Sequence, residues 1–377
     1  MSIKSNYLKF NKDDFDKYLD DLKRLSNSIH LLDEKFFFNQ SVDISNMLII
    51  LNKKIIELDF IINSLTEFSK KQIIQSFMID EIESTNKIEN IFSTRHDIFK
   101  IINDISKSKE KKVISIANAY KHLLGNEKIH IKSCQDIRNI YDIVLKGAIE
   151  KEDLPDGIYF RHGPVYVTNG IKTVHTGIIG EENVNRLMNE FINFYNSNND
   201  IYVRMILCHF MFEYIHPFYD GNGRLGRFLF SSGLFLKTKN YFAFTISISL
   251  LHEKNKYYKA FNEANDRYEF GCLNSYVKTI LEILINQVNI LIKKLYLEKN
   301  KLNSLKYDFK MTKSEEKILK LISEASLFSC FGVSNEEIIK ETNVSKRTLI
   351  STLNKLKKEN LLVDTKIGKF DYHKVNI

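Results

Sequence analysis

Apolar side chains recur at spacings of three and four residues along most of the chain. This is the period of an amphipathic α-helix, and it is clearest over residues 42–66 and 68–83. The pattern also predicts helices over residues 109–124, 134–149, 181–196 and 201–215. No glycine or proline occurs in the 124 residues before Gly125, which favours an amino-terminal region built of helices.

One stretch, GPVYVTNGIKTVHT at 163–176, breaks this helical pattern. Val165 and Val167 alternate with Tyr166 as in a half-exposed strand, and the Asn169-Gly dipeptide tolerates positive φ in a tight turn. The pattern predicts a β-hairpin, with a plain surface turn as the alternative. A two-stranded hairpin alone is only marginally stable in water, so its presence here needs a reason.

Residues 311–377 differ in character from the rest of the chain. Capping boxes, in which a Ser or Thr precedes a Glu by three residues, are predicted at Thr312–Glu315 and Ser334–Glu337. A further helix is predicted to start at Ser345, and two alternating strands surround Gly368. Three helices followed by a hairpin is the plan of a winged helix-turn-helix domain.

Composition sets broad limits. The 377 residues suffice for two or three domains, and 44% hydrophobic with 27% charged residues is typical of a soluble globular protein. We find no apolar run that resembles a signal peptide or could span a bilayer, so we expect a cytoplasmic protein without a membrane partner. The net charge of +8 fits nucleic-acid binding but equally a lysine-rich composition. The cysteines are scattered and are expected to be isolated thiols: Cys134, Cys208, Cys272 and Cys330.

The stretch HPFYDGNGRLGR, residues 216–227, concentrates three glycines beside ionisable groups. Pro217 would end the preceding helix, which puts His216 at its carboxyl end. Gly221 and Gly223 allow a sharp turn into the next helix. The free N–H groups and positive dipole end of that helix form an anion site.

The other side chains of this stretch suit phosphate chemistry. Arg224 and Arg227, three residues apart, share a helix face and can bind phosphate oxygens. Asp220 is a natural ligand for Mg²⁺, His216 can act as a general base, and Phe218 is expected to point into the core. Together they predict phosphoryl or nucleotidyl transfer to a hydroxyl. An ordinary helix cap followed by turns is the alternative.

HPFYDGNGRLGR matches the Fic motif, HPFx(D/E)GNGRxxR, at every defined position, and the chain resembles that family over about residues 80–290. The resemblance implies a helical core and transfer of AMP from ATP to a Ser, Thr or Tyr hydroxyl of a protein. It implies that His216 deprotonates the hydroxyl and that Asp220 holds Mg²⁺ between the α- and β-phosphates. The implied ATP-binding residues are Gly221, Asn222, Gly223 and Arg224 in the anion-binding loop and Arg227 at the γ-phosphate.

The resemblance also gives the hairpin at 163–176 a role. It would be the family's flap, on which a target segment docks as an added strand. The docking residues would be Val165, Tyr166, Val167, Thr168 and Asn169. NKYYKAFNEAN resembles the segment that lines the adenine pocket, which implies that Tyr257 and Asn265 meet the base and ribose; ordinary half-buried tyrosines are the alternative.

A second stretch, IESTNKIENIF at 82–92, reads by itself as a polar helix segment with a solvated face. Thr85, Glu89 and Asn90 resemble the family's amino-terminal inhibitory signature, (S/T)xxxE(G/N). The resemblance implies that Glu89 pairs with Arg227 in the place of the γ-phosphate, where its charge would repel a triphosphate. In some relatives this glutamate instead positions a water that removes AMP, so transferase and hydrolase both stay open.

These observations predict a mainly α protein with a Fic-type helical core and a β-hairpin flap. The predicted segments are a helical amino-terminal region at 1–108 with the inhibitory motif at 85–90, a catalytic core at 109–290, a helical connector at 291–310 and a small winged helix-turn-helix domain at 311–377.

The leading hypothesis is an ATP- and Mg²⁺-dependent protein adenylyltransferase restrained by Glu89, which modifies another protein or itself, as a monomer or a homodimer. The alternatives are another nucleotide in the same site, removal of AMP by hydrolysis, and a nucleotide-sensing regulator that binds DNA through residues 311–377. That segment has 12 Lys and Arg against 9 Asp and Glu, a small excess. The basic residues in or near its predicted recognition helix are Lys346, Arg347, Lys355, Lys357 and Lys358.

Overall fold

A computed structural model describes residues 3–9, 11–25, 28–105, 111–125, 129–168, 173–307 and 310–376. This part of the chain is mainly helical, as predicted, and none of its helices is long and apolar enough to cross a membrane. The helices are α1 (Ile3–Tyr7), α2 (Lys12–Lys23), α3 (Val42–Asn63), α4 (Glu67–Ile88), α5 (Arg95–Ile102), α6 (Lys111–Leu124), α7 (Cys134–Val144), α8 (Glu181–Tyr195), α9 (Ile201–Ile215), α10 (Asn222–Thr238), α11 (Ile246–His252), α12 (Lys254–Ala264), α13 (Asn274–Ser304), α14 (Lys313–Phe328), α15 (Asn335–Thr342) and α16 (Lys346–Lys358).

Within the described ranges the strands form three small antiparallel sheets, ordered β1-β2, β3-β4 and β5-β7-β6. Their bounds are β1 (Ser28–Leu31), β2 (Phe36–Asn39), β3 (Tyr166–Thr168), β4 (Thr173–Thr176), β5 (Val333–Ser334), β6 (Leu362–Ile367) and β7 (Phe370–Val375). Short 3₁₀ helices lie at Lys151–Asp153, Tyr241–Thr245 and Arg267–Glu269.

The amino-terminal region is mainly helical, as expected, but it also contains a hairpin that the sequence pattern does not predict. Strands β1 and β2 are joined by a turn that holds Leu32, Asp33 and Glu34 at φ of 57°, 55° and 60°, without a glycine. The Glu190 carboxylate accepts hydrogen bonds from the backbone N–H groups of Leu32 and Asp33, the latter at 3.1 Å. A contact distant in sequence thus stabilises a turn that local composition does not favour.

One large hydrophobic core runs from α3 and α4 through the central pair α9 and α10 to α13. Helix α13 passes residue 290 without a break, so the predicted boundary there has no counterpart in secondary structure. The cysteines are free thiols, as expected, with Cys134, Cys208 and Cys272 buried and Cys330 partly buried.

Residues 311–377 contain the predicted three helices and hairpin in the predicted order, and both predicted capping boxes are present. A third strand, β5, joins the hairpin. This segment has a small hydrophobic core, to which Phe68 of α4 contributes. The β6–β7 turn approaches Ile105, because a Cβ on Gly368 would lie 2.9 Å from Cγ2 of Ile105, but Gly368 and Lys369 are themselves exposed. Its assignment as a winged helix-turn-helix domain stays a prediction.

Candidate functional site

The loop between α9 and α10 has a closely determined shape. Helix α9 ends at Ile215; His216, with φ at 53°, caps it, and Pro217 follows. Gly221, with φ at 83°, precedes α10, which begins at Asn222. The Asn222 amide closes the loop, because Oδ1 accepts from Phe218 N at 2.9 Å and Nδ2 donates to Phe218 O at 2.7 Å. The predicted helix ends are confirmed, and the Asn222 side chain serves the loop itself.

Aromatic packing holds this loop against the core. Phe218 is fully buried, as predicted, and stacks on Tyr141 with ring centroids 3.8 Å apart. The Tyr141 hydroxyl donates to the backbone oxygen of Asp220 at 3.3 Å. A Cβ on Gly221 would clash with Cδ1 of Leu145. Residue 221 must therefore be glycine for two reasons, the positive φ and the close approach.

His216 is a neutral imidazole with one nitrogen available as a base. Its Nδ1 lies 3.2 Å from the backbone oxygen of Glu213, and because a carbonyl oxygen only accepts, Nδ1 carries the hydrogen. Nε2 then has the lone pair that a general base requires. Burial lowers the pKa of His216 to about 4, so the ring is uncharged near neutral pH.

No sequence pattern points to Arg161, which connects this loop to the hairpin. Arg161 is fully buried and donates from Nε to His216 O at 2.9 Å and from Nη2 to Ile178 O at 2.8 Å. On the same side, a Cβ on Gly177 would lie 3.0 Å from Cβ of His216. The base of the hairpin is therefore directly beside the candidate general base.

The hairpin predicted at 163–176 is present as β3 and β4, with Val167 opposite His175. Its predicted turn, including Asn169, lies outside the described residues. His175 Nε2 donates to Tyr214 O at 2.7 Å, which attaches β4 to α9. Within the described ranges β3 and β4 pair only with each other, so each strand keeps one unpaired edge.

The first turn of α10 carries buried positive charge. Arg224 Nη2 pairs with Asp220 Oδ2 at 3.1 Å, whereas Arg224 Nε and Nη1 have no hydrogen-bond partner in the described part of the chain. Asp220 Oδ1 accepts from Gly221 N at 2.6 Å. Buried guanidinium donors without partners are costly, and an anion at this helix start would satisfy them.

Arg227, one turn further along α10, binds the end of α4. Its Nε donates to Thr85 Oγ1 at 2.9 Å, and its Nη2 donates to Thr85 O at 3.1 Å and to Glu89 Oε1 at 2.7 Å. Arg227 is almost completely buried, and its charge is balanced by this fork of acceptors. The structure thus brings together three residues that lie up to 142 positions apart in sequence.

Glu89 lies against the first turn of α10 with one side open. A Cβ on Gly223 would clash with Glu89 Oε1, while 35% of the Glu89 side chain is exposed. Burial raises the pKa of the Glu89 carboxyl, but the Arg227 charge and hydrogen bond lower it more, so it lies below its usual value. The carboxylate is therefore ionised at neutral pH and lies at the amino-terminal end of α10, where the helix dipole favours an anion.

Asn90 contributes to this arrangement through its backbone. It follows Glu89, which is the C-cap residue of α4, and its φ is 57°. Ile91 N then donates back to Asn86 O at 2.9 Å, which closes the helix end. Glycine and asparagine are the residues that accept this left-handed conformation most readily, which gives the final position of the (S/T)xxxE(G/N) pattern a physical reason.

Two further buried ionisable residues near Arg227, His209 and Glu213, were missed by sequence reasoning. His209 Nε2 lies 2.9 Å from the Tyr257 hydroxyl, and burial lowers the pKa of His209 to about 3. Burial also raises the pKa of Glu213 to about 7, against the opposing effect of the Arg227 charge. Glu213 Oε1 has no hydrogen-bond partner among the described residues.

The prediction that Tyr257 meets a base is contradicted by its position. Tyr257 is 4% exposed and its hydroxyl is bonded to His209, so no ring face is open to a ligand. The next residue, Tyr258, is 41% exposed, and Lys254 Nζ lies 5.7 Å from the centroid of its ring. Adjacent helical residues point about 100° apart, which is why one faces the core and the other the surface.

Asn265, by contrast, lines an open cleft of about 400 Å³ beside the hairpin. Its Nδ2 donates to Phe261 O at 2.8 Å. The cleft is also lined by Lys35, Thr173, His175, Thr176 and Tyr214. Of the two residues predicted to meet the base and ribose, only Asn265 is therefore open to a ligand.

The described ranges contain no group of three or more His, Cys, Asp or Glu side chains that could hold a metal ion. Asp220 is a single carboxylate with half of its side chain exposed at the loop surface. One carboxylate suffices for Mg²⁺ when phosphate oxygens and water supply the other ligands. The loop thus fits a Mg²⁺ ion that arrives with a nucleotide.

Comparison with known proteins gives one family match and several similar folds. Residues 132–234 match the sequence model of the Fic/DOC family. The fold is similar to the crystal structure of a Fic family protein from Desulfovibrio desulfuricans G20, with a TM-score of 0.55 and 18% identity over 90% of this chain and 97% of that chain. Weaker similarities are to residues 134–508 of Fic-1 from C. elegans (TM-score 0.46, 16% identity, 66% of this chain and 73% of that chain) and to a Fic domain containing signaling protein from Bacteroides thetaiotaomicron VPI-5482 (TM-score 0.45, 17% identity, 64% and 97%).

Proposed function

Because residues 132–234 form a Fic/DOC family domain, we propose that this protein transfers AMP from ATP to a Ser, Thr or Tyr hydroxyl of a protein and that Glu89 restrains the transfer. The observation that carries the proposal is the set of hydrogen bonds that the Arg227 guanidinium donates to Thr85 and Glu89 at the start of α10. A carboxylate of the chain itself lies at an anion-binding helix start. This arrangement is the one expected of a triphosphate site with an internal inhibitor.

In the proposed reaction His216 Nε2 accepts the proton of the target hydroxyl. The hydroxyl oxygen forms a bond with the α-phosphorus, and the bond to the bridging oxygen breaks, so that pyrophosphate leaves. The free donors of Arg224 and the N–H groups of the loop stabilise the developing phosphate charge. The proposed ATP-binding residues are Gly221, Asn222, Gly223, Arg224 and Arg227, with Asn222 acting through its backbone N–H.

Asp220 is the residue that would hold Mg²⁺, which neutralises phosphate charge when it is bound. Asn265 is proposed to meet the base or ribose, because it lines the cleft beside the hairpin. Tyr258 replaces Tyr257 as the proposed aromatic contact, since its ring is the exposed one. The free edge of the hairpin is proposed to pair with a target segment, and Tyr166 on β3 is 59% exposed.

The test uses Glu89→Gly protein incubated with ATP labelled on either the α- or the γ-phosphate. AMP transfer predicts protein-bound label from the α-labelled nucleotide only. The double variant Glu89→Gly, His216→Ala is expected to carry no label from either nucleotide. Label from the γ-phosphate would show phosphoryl transfer and contradict the proposal. Loss of existing label from a modified protein, without transfer, would favour the hydrolase alternative.

A DNA-binding regulator is less well supported. Two basic residues of the candidate recognition helix are engaged within the chain, since Lys355 binds Glu315 at 3.1 Å and Lys357 binds Asp364 at 2.5 Å. These two ion pairs reduce the positive charge available to DNA, and we do not propose that function.

A further inference from the structure

Helix α4, which ends at the inhibitory contact, is held on two faces. Glu81, Thr85 and Glu89, spaced by four residues, share the face toward the catalytic helices. The Glu81 carboxylate accepts from Ser247 N at 2.6 Å and Ser247 Oγ at 2.7 Å, and the other two residues bind Arg227. The second face is bound by residues of the 311–377 segment.

The first turn of α4 is bound by Glu324 of α14. Glu324 is 2% exposed, and its Oε2 accepts from Thr66 Oγ1 at 2.5 Å and from Ser69 Oγ at 2.9 Å. Thr66 is also the N-cap of α4, because its Oγ1 accepts from Ser69 N at 3.1 Å. A carboxylate is favoured at a helix amino terminus, where the dipole is positive. Glu324 therefore stabilises one position of this first turn.

The contact continues along the same face. Ser76 Oγ donates to Phe328 O at 3.1 Å. Ser69 and Ser76 are seven residues apart, so they lie on one side of the helix. Phe68 inserts into the small hydrophobic core of residues 311–377. Helix α4 is thus fixed along about half its length by this carboxy-terminal segment.

We propose that Glu324 is a positioning residue for inhibition, because by holding the first turn of α4 it keeps Glu89 on Arg227. The inference rests on the proposed function. About 30 Å of helix separates Ser69 from Glu89, and a helix transmits a shift of one end to the other as a rigid rod. A ligand that binds better when α14 is displaced from α4 would therefore raise the transfer rate.

The test compares Glu324→Ala in full-length protein with native Glu89 and in the Glu89→Gly background. With native Glu89, the change is expected to raise the initial rate of transfer from α-labelled ATP at least about fivefold. In the Glu89→Gly background it is expected to change the rate by less than about twofold, because the contact being positioned is gone. A role confined to folding would lower the rate in both backgrounds and overturn the inference.

Two further variants keep the test decisive if Glu324→Ala is unstable. Ser69→Ala removes one of the two donors to Glu324 and is expected to raise the rate in the same Glu89-dependent way. Glu341→Gln alters an exposed carboxylate on α15 and is the matched control, with no expected change. Thermal unfolding of each variant confirms that the compared proteins are folded.

A titration of ATP binding separates failure of this inference from failure of the proposed function. Glu324→Ala is expected to tighten ATP binding at least about fivefold with native Glu89 and not in Glu89→Gly, whether or not AMP is transferred. Transfer in Glu89→Gly without any effect of Glu324→Ala or Ser69→Ala overturns the inference alone. No transfer in Glu89→Gly overturns the proposed function, and the ATP titration then decides the inference.

Discussion

His216 and Arg227 meet opposite electrostatic requirements within one loop and helix. Arg227 stays charged although it is buried, because Thr85 and Glu89 accept hydrogen bonds from its guanidinium. His216 has no such counter-charge within hydrogen-bond reach, so burial lowers its pKa and leaves it neutral. Burial thus has opposite results at the two positions, because only Arg227 has hydrogen-bonded acceptors that hold its charge.

The pH dependence of the proposed transfer follows from the pKa of His216. A base works in its unprotonated form, so activity is lost as pH falls through the pKa of about 4. We predict that Glu89→Gly protein keeps its initial rate nearly constant from about pH 8 down to about pH 5.5. Initial rates across this range, with protein stability followed in parallel, provide the measurement. An ordinary histidine has a pKa of about 6.5, so a rate that halves near that pH would contradict this account.

At the residue scale, sequence reasoning predicted the local geometry where it is contained in residue spacing, while the chemical roles stay predictions. The positions of His216, Asp220 and Arg224 follow from a helix end, a turn and a helix start within nine residues. It failed for Tyr257, because two adjacent tyrosines do not show which ring faces inward. It had no means of finding Arg161, whose partners are backbone oxygens from distant segments.

At the element scale, the loop before α10 depends on a backbone conformation that only glycine adopts easily. We predict that Gly221→Ala lowers the free energy of unfolding by about 2–4 kcal/mol, combining the cost of positive φ with overpacking against Leu145. Denaturant unfolding measures this. Gly125→Ala is the matched control: its Cβ would lie 3.3 Å from the nearest backbone oxygen, and we expect a change below about 1 kcal/mol. Equal effects at both positions would contradict the argument.

Most helices and the β3–β4 hairpin could be predicted because their signals are local. Apolar periodicity identified α3 and α4, and hydroxyl caps at their starts agree with it. The β1–β2 hairpin could not be predicted, because its turn uses Leu32, Asp33 and Glu34 at positive φ and depends on Glu190. That carboxylate comes from α8, so no local window of sequence contains the explanation.

At the scale of the whole molecule, α4 connects the 311–377 segment to the candidate active site. Its first turn contacts α14, its middle packs in the main core, and its end reaches Arg227. Helix α13 likewise passes through the predicted boundary at residue 290. Composition therefore predicts the order of the segments along the chain. It does not predict the tertiary contacts that join one segment to another.

The most direct measurement is the initial rate of AMP transfer by native, Glu89→Gln and Glu83→Gln proteins. Glu83 lies on the same helix and pairs with Lys87 at 3.0 Å, so it controls for loss of a carboxylate from α4. Removing the Glu89 charge releases Arg227 for the nucleotide, and we predict a rate at least about tenfold above native, with Glu83→Gln unchanged. Equal rates in all three proteins would contradict inhibition by Glu89.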